Sequence, residues 1–266
     1  MRPILAFAAA SLALLGTTAC GLIVGLEDHW LAGAGGSLAG SRASCATILA
    51  ANPNAKSGVY ALDPDDAGPE PPFDAYCEMD PAQDGGGWTL ALKIDGNQAT
   101  FTYAAQIWLD TVPYQANFPE LDQNEAKLET FSKVGFTAVR IGMIDGGLTR
   151  WIVAPISASS LAALLNDGTF KPTSLGPDAW RGLVASPSLQ PSCNAEGFDV
   201  MASPGHSLRI GIMTNEQTDC GSVDSFIGFG GTIEFVTDLA SGNHAGCCGN
   251  DQGDRHTTTF GYVMVR

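Results

Sequence analysis

Two stretches near the end of the chain are rich in side chains with carboxylate or amide oxygens. They contain Asn215, Glu216, Asp219 and Asp224, and then Asn250, Asp251 and Asp254. A hard cation such as Ca²⁺ needs several such oxygens to converge on one point, together with backbone carbonyls. Two interpretations stay open at this stage: a cation site, or solvated acidic loops in a protein that is acidic throughout.

Sequence motifs of the common enzyme families are absent from the chain. There is no G-x-S-x-G elbow, no H-E-x-x-H, no P-loop and no G-x-G-x-x-G after a strand. A pair among the 28 acidic residues could still serve glycoside hydrolysis. We therefore expect that the protein is not an enzyme and predict no catalytic residue, with an unrecognised hydrolase as the least favoured alternative.

Residues 1–19 have the composition of a targeting segment. Arg2 is the only charge, residues 3–15 are almost wholly apolar, and small residues then lead to Cys20. This pattern is typical of a secretory signal rather than of a membrane span. The cysteine directly after it resembles the lipobox of bacterial lipoproteins, in which the cysteine is lipidated, although Thr17 stands where leucine is usual.

Composition divides the chain into three regions. Residues 1–19 are the signal peptide, residues 20–42 are the lipidated Cys20 with a flexible Gly/Ala/Ser-rich tether, and residues 43–266 are one domain. We expect an exported protein that is lipid-anchored to the bacterial cell envelope, at the outer membrane. A net charge of −15 repels phosphate backbones and argues against nucleic acid as a partner.

The six cysteines other than Cys20 can all pair, and export makes disulfides the default. For four of them, two arrangements are open. Cys193 can pair with Cys220, which leaves Cys247 and Cys248 to pair with each other, or each of the first two can pair with one member of the doublet. Neighbouring cysteines rarely pair, because the peptide must distort. We nevertheless favour the first arrangement, which staples a hairpin.

The pattern of elements is α+β, because strands and helices do not alternate. Runs of β-branched and aromatic residues between turn residues predict strands at 58–62, 73–77, 88–94, 138–143, 150–153, 207–213 and 260–266. Apolar residues at helical spacing predict helices at 43–51, 124–131 and 157–166. Residues 145–190 remain without a predicted topology.

Several motifs occur in the order found at the start of a fibrinogen-like domain. These are Cys45 on a short helix, S-G-V-Y at 57–60, Y-C-E-M at 76–79 and G-G-G-W-T at 85–89. The stretches 193–198, 209–213, 224–231 and 260–266 resemble the C-terminal half of bacterial members of the family and of intelectins. The resemblance implies a twisted, mainly antiparallel sheet with short helices and long disulfide-stapled loops. It also implies that Cys45 pairs with Cys77.

The same resemblance implies a calcium ion in the C-terminal loops, with a ligand pocket beside it. The candidate calcium ligands are Asn215, Glu216, Asp219, Asp224, Asp251 and Asp254, and the candidate ligand-binding residues are His244, His256 and Trp180. Phe226 and Phe229 could form aromatic walls, although core packing suits them better. The implied function is calcium-dependent binding of glycan or acetylated surface groups. The alternative is a protein–protein adhesion or structural surface module without sugar binding, and oligomerisation stays open.

Overall fold

The computed structural model describes residues 42–234 and 237–266. All of them belong to one compact unit, Leu38–Arg266. The helices are α1 (Cys45–Ala51), α2 (Thr130–Lys133), α3 (Leu161–Leu165) and α4 (Pro177–Arg181), and a 3-10 helix spans Gln106–Trp108. The strands are β1 (Gly58–Leu62), β2 (Phe73–Glu78), β3 (Trp88–Asp95), β4 (Ala126–Lys127), β5 (Val139–Asp145), β6 (Leu148–Ala154), β7 (Lys171–Pro172), β8 (Ser192–Ser203), β9 (His206–Asn215), β10 (Ser225–Ile233), β11 (Thr237–Ala245), β12 (Arg255–Thr258) and β13 (Phe260–Val265).

The fold is built from two antiparallel sheets with a few short helices. The first sheet has the order β1-β2-β3-β13-β5-β6, and β4 pairs with β3. The last strand, β13, lies between β3 and β5, and its six residues are all buried. The strand β13 is therefore central to this sheet, because it joins β3 from the N-terminal part of the chain to β5 from the middle part.

The second sheet is a meander with the order β12-β11-β10-β9-β8-β7. The start of β8 lies beside the end of β9, since Ser192 pairs with Asn215. In a meander, alternate connections lie at the same end of the sheet. The segment before β8, the β9–β10 loop and the β11–β12 loop consequently meet at one end, which is where the predicted site residues lie.

Two of the predicted helices are present, and each begins after a serine that caps its N-terminus. The hydroxyl of Ser44 accepts the backbone N–H of Thr47 while the Thr47 hydroxyl accepts the N–H of Ser44, which starts α1 with a capping box. The Ser160 hydroxyl accepts the N–H of Ala163 and starts α3, which is shorter than predicted. All seven predicted strands are present, with bounds that differ by a few residues at most.

The predicted helix over residues 124–131 is wrong. Residues Ala126–Lys127 form β4, which pairs with β3, and only Thr130–Lys133 is helical. The Lys127 side chain is buried and reaches the carbonyl oxygens of Ile107 and Asp110 at 2.7 and 3.1 Å. These long-range contacts override the local helical spacing, which is a weak signal by itself.

The larger apolar core contains residues of both sheets and includes Trp88, Trp108 and Trp180, none of which has exposed surface. A smaller core in the second sheet is built on Val200, Met213 and Phe226. Both cores support the end of the meander at which the three loops meet.

Candidate functional site

Gln190 lies at the centre of the three converging segments. The side chain is buried, and its Nε2 donates towards Glu216 Oε2 at 2.9 Å, Asp224 Oδ2 at 3.2 Å and the carbonyl oxygen of Cys248 at 2.7 Å. Its Oε1 accepts the backbone N–H of Asp224 at 3.2 Å, which fixes the orientation of the amide. We call Gln190, Glu216, Asp224 and the Cys248 carbonyl the Gln190 cluster.

Gln190 alone cannot donate a hydrogen to every oxygen that surrounds its amide nitrogen. An amide NH₂ has two hydrogens, so three acceptors around it leave one oxygen without a hydrogen from Gln190. Within residues 42–234 and 237–266, the ion pairs leave Glu216 and Asp224 without a lysine or arginine partner. Burial raises the pKa of Asp224 and the charge of Glu216 raises it further, while the hydrogen bond from Gln190 lowers it. The cluster thus holds uncompensated negative charge.

Asn215 and Asp219 shape the β9–β10 loop. Asn215 is buried, its Nδ2 donates to the carbonyl of Asp219 at 2.8 Å, and its Oδ1 accepts the N–H of Glu216 at 3.0 Å. The exposed Asp219 accepts the N–H of Gly221 at 3.0 Å. Both residues therefore position Glu216 by fixing the loop, and the structure does not bring their side-chain oxygens onto Gln190.

Asp251 and Asp254 hold the β11–β12 loop. Asp251 accepts the N–H of Leu189 at 3.0 Å and forms an ion pair with Arg181 at 2.7 Å. Asp254 accepts a hydrogen bond from Asn250 at 3.2 Å. Because Arg181 already neutralises Asp251, that carboxylate is a poor candidate for a cation ligand in this arrangement. Of the six predicted metal ligands, only Glu216 and Asp224 contact Gln190.

Three disulfides are present among the described residues: Cys45–Cys77, Cys193–Cys220 and Cys247–Cys248. The first joins α1 to β2. The second joins β8 to the β9–β10 loop. The third closes a ring of adjacent residues in the exposed tip of the β11–β12 loop, beside the Cys248 carbonyl that accepts from Gln190.

The sulfur atoms of Cys247 and Cys248 lie within 4.8 Å of an Asp224 carboxylate oxygen. Sulfur binds metal ions as thiolate. Since both sulfurs are joined in a disulfide, this group offers one carboxylate and no thiolate. The atoms of this group and of the Gln190 cluster that could bind a metal ion are therefore oxygens.

Two of the three predicted ligand-binding residues, His244 and His256, lie beside each other, whereas Trp180 lies elsewhere. His244 on β11 and His256 on β12 are direct cross-strand partners, with Nδ1 atoms 3.5 Å apart. The strands that carry them are joined by the β11–β12 loop, so the pair lies at the base of that loop. Burial lowers the pKa of His244, and the neighbouring His256 lowers it further.

Trp180 does not fit its predicted role. It is completely buried, and its indole N–H donates to Glu196 Oε2 at 2.5 Å. Phe226 and Phe229 are also completely buried, which agrees with core packing rather than with ligand walls. None of the three aromatic side chains offers a surface to a ligand.

The sequence indicated neither Gln190 nor the Cys248 carbonyl as part of the site. Gln190 lies between Pro187 and Pro191, and proline restricts the backbone before and at each position. That signal predicts an extended segment but not its partners. A backbone carbonyl leaves no trace in the sequence.

The donor set of the Gln190 cluster fits a hard cation such as Ca²⁺. Two carboxylates and a carbonyl supply oxygen only, and Ca²⁺ prefers six to eight oxygens, of which waters or a ligand can supply the rest. A bound cation would offset the repulsion between Glu216 and Asp224 and would contact the oxygen that Gln190 leaves without a hydrogen.

The predicted lipidation residue, Cys20, and most of the predicted tether lie outside the described residues. In the part of the chain that the structure describes, no helix has the length and apolar character needed to cross a bilayer.

Comparison of the chain with models of known protein families and with curated proteins found no match.

Proposed function

We propose that the chain is an exported, lipid-anchored cell-envelope protein whose fibrinogen-like domain binds glycan or acetylated surface groups with the help of calcium. The observation that carries the calcium part is the Gln190 cluster, in which Glu216, Asp224 and the Cys248 carbonyl converge without a compensating cation among the described residues. The role is one of binding rather than of catalysis.

The arrangement of the N-terminal motifs supports the proposed family. The S-G-V-Y motif leads into β1, the Y-C-E-M motif ends β2, and the G-G-G-W-T motif opens β3. The Cys45–Cys77 disulfide fixes α1 against the strand that carries the second motif. Two antiparallel sheets with short helices are compatible with such a domain.

Glu216 and Asp224 would hold the calcium ion through their carboxylates, and Cys248 through its backbone carbonyl, in place of the hydrogen bonds that these oxygens accept from Gln190 Nε2. Bound there, calcium supplies coordination positions for hydroxyl or acetyl oxygens of a ligand. The surrounding residues have separate tasks. Asn215 fixes the turn before Glu216, and the Asp251–Arg181 ion pair fixes the loop that carries Cys248.

Calorimetric titration of the protein with CaCl₂ tests the calcium site, with the melting temperature followed in parallel. We expect saturable binding and a rise in the melting temperature for the wild type, and loss of both in the variant Glu216→Gln/Asp224→Asn. Asp74→Asn removes an exposed carboxylate on β2 and serves as the matched control that keeps calcium binding. A wild type that neither binds calcium nor changes its melting temperature would contradict the calcium part.

A glycan array with and without EDTA tests the ligand class. We expect binding to a defined set of glycans or acetylated sugars in calcium and its loss on chelation. Binding to a protein partner that survives chelation would instead favour the adhesion module without sugar binding. The double variant separates the two, because it should lose glycan binding and keep binding to a protein partner.

A further inference from the structure

His244 and His256 form a pair at the edge of the second sheet that the proposed calcium site does not use. They face each other directly across β11 and β12, and β12 is the outermost strand. The rings meet edge to face, with centroids 5.8 Å apart. His256 is exposed, whereas His244 is half-buried against the ring of Phe226.

The separation of the two nitrogens is long for a hydrogen bond and short enough for a shared metal ion. The Nδ1 atoms are 3.5 Å apart, while good N–H hydrogen bonds span 2.7–3.2 Å. Zinc–imidazole bonds of 2.0–2.1 Å at a tetrahedral angle put the two nitrogens about 3.3 Å apart. A small adjustment of the exposed His256 ring would convert the observed pair into a chelate.

We propose that His244 and His256 form a two-histidine site for a divalent transition-metal ion, with water completing the coordination. Imidazole nitrogen suits zinc, copper and nickel, whereas calcium takes oxygen ligands. The site is therefore distinct in chemistry from the Gln190 cluster, and each can be present without the other.

The surroundings of the pair favour a bound cation. Metal ions bind imidazole through a ring nitrogen, and the Nδ1 atoms of the two rings lie 3.5 Å apart. The exposed carboxylate of Asp254 stands two positions before His256 and adds negative charge beside the pair. The half-buried ring is held in place by Phe226, while the exposed ring leaves the metal open to solvent.

Electron paramagnetic resonance of the full chain loaded with one equivalent of Cu²⁺ tests this site. We expect hyperfine splitting from two imidazole nitrogens in the wild type. The variant His256→Asn should lose the two-nitrogen pattern and bind Cu²⁺ at least about tenfold more weakly, since even the hydrogen-bond partners of metal ligands contribute about 10- to 100-fold in affinity. A large excess of CaCl₂ should leave the wild-type signal unchanged.

His206→Asn is the matched control, because His206 is the first residue of β9 and contacts Ser203 and Pro204 instead. It should keep the two-nitrogen signal and the wild-type affinity. His256 is the position to vary, since an exposed edge-strand residue can be replaced without disturbing the core, and the melting temperature in EDTA verifies this. A two-nitrogen signal that survives in His256→Asn, or its absence from the wild type, would overturn the proposal.

Discussion

At the scale of single residues, Asp224 is a carboxylate whose charge is disfavoured by the folded protein. Its pKa is raised by burial and by Glu216, so ionisation is disfavoured in the folded state. A group with a raised folded-state pKa contributes stability below its unfolded pKa, and this contribution is lost as the pH rises through the folded-state value. At neutral pH Asp224 therefore destabilises the free protein, and a bound cation reverses this.

The variant Asp224→Asn should consequently have opposite effects in the two conditions. In EDTA we expect it to be as stable as the wild type or more stable, because the unfavourable charge is gone and the amide keeps the size. In calcium at about a hundred times the dissociation constant, we expect it to lack a stabilisation of about 2.7 kcal/mol that the wild type gains. Urea unfolding in both buffers measures this crossover, and equal loss in both would argue against a cation at this carboxylate.

His244 gives the protein a pH dependence with a predictable sign. Its pKa is lowered by burial and by His256, so the unfolded chain binds the proton more readily than the folded protein. The associated stability is present above the unfolded pKa of about 6.5 and is lost as the pH falls through the lower folded-state value. We expect wild-type stability in EDTA to fall between pH 7.5 and 5.5 more steeply than that of His244→Gln. Denaturant titrations at each pH check this, and His206→Gln should follow the wild type.

At the scale of single elements, two buried lysines fix the long connection between β3 and β4. Lys93 pairs with Asp122 and donates to the carbonyl of Glu120, and Lys127 does the same with Asp110 and Ile107. Both lysines are almost fully buried, whereas both aspartates are about one-third exposed. The ammonium groups of two lysines on β3 and β4 thus hold the connection in place.

Replacing Lys127 by methionine keeps the apolar stem and removes the donor. We expect Lys127→Met to destabilise the fold by about 2–3 kcal/mol, because two part-buried carbonyl oxygens and the Asp110 carboxylate lose their partner. Lys133→Met is the matched control, since Lys133 pairs with the exposed Glu70 and such surface pairs contribute less than about 1 kcal/mol. Chemical unfolding of both variants measures the difference, and similar costs would contradict the anchoring role.

Glycines line up across the second sheet where strands approach closely. Gly211 and Gly228 are direct partners on β9 and β10, and a Cβ on Gly228 would lie 2.1 Å from the carbonyl oxygen of Ile210. Backbone would have to move, so we expect Gly228→Ala to cost about 3 kcal/mol. Gly146→Ala is the control: it has a positive φ of 62° but open space around it, and should cost about 1 kcal/mol. Thermal unfolding compares the two, and equal costs would refute the steric explanation.

The strands predicted from the sequence are short apolar runs bounded by turn residues, whereas the polar β11 and the glycine-rich β10 of the second sheet were not predicted. The prediction of β1 matches its observed bounds, because G-V-Y-A-L is a short apolar run after a turn. The strand β11 of the second sheet lacks such an apolar run. On β11, Ser241 and Asn243 are fully buried, and they are satisfied by Thr259, Ser188 and the carbonyl of Phe226. A strand stabilised by such distant hydrogen bonds shows no apolar periodicity.

For the molecule as a whole, only part of the candidate site could be predicted, because its members lie far apart in the sequence. Glu216 and Asp224 are visible as acidic residues in one loop. Gln190 contacts Asp224 across 34 positions and Cys248 across 58 positions. Only the meander brings these three segments to one end of the sheet, and only the tertiary structure shows that Arg181 neutralises Asp251. Sequence supplies the candidate charges, and the fold selects which of them remain uncompensated.

Membrane attachment is the prediction that concerns the whole chain. Residues 3–15 are apolar and Cys20 follows a run of small residues, so lipid on Cys20 would place the acidic domain at a membrane surface. One acyl chain binds a membrane only weakly, and several together give a stable anchor. In a bacterial host with lipoprotein processing, we expect the wild type to partition into the detergent phase and Cys20→Ser to remain in the aqueous phase. Arg42→Ser, at the start of the described domain, should partition like the wild type. If the wild type itself stays in the aqueous phase and carries no labelled fatty acid, residues 1–19 act as an ordinary signal peptide and the domain is released rather than anchored.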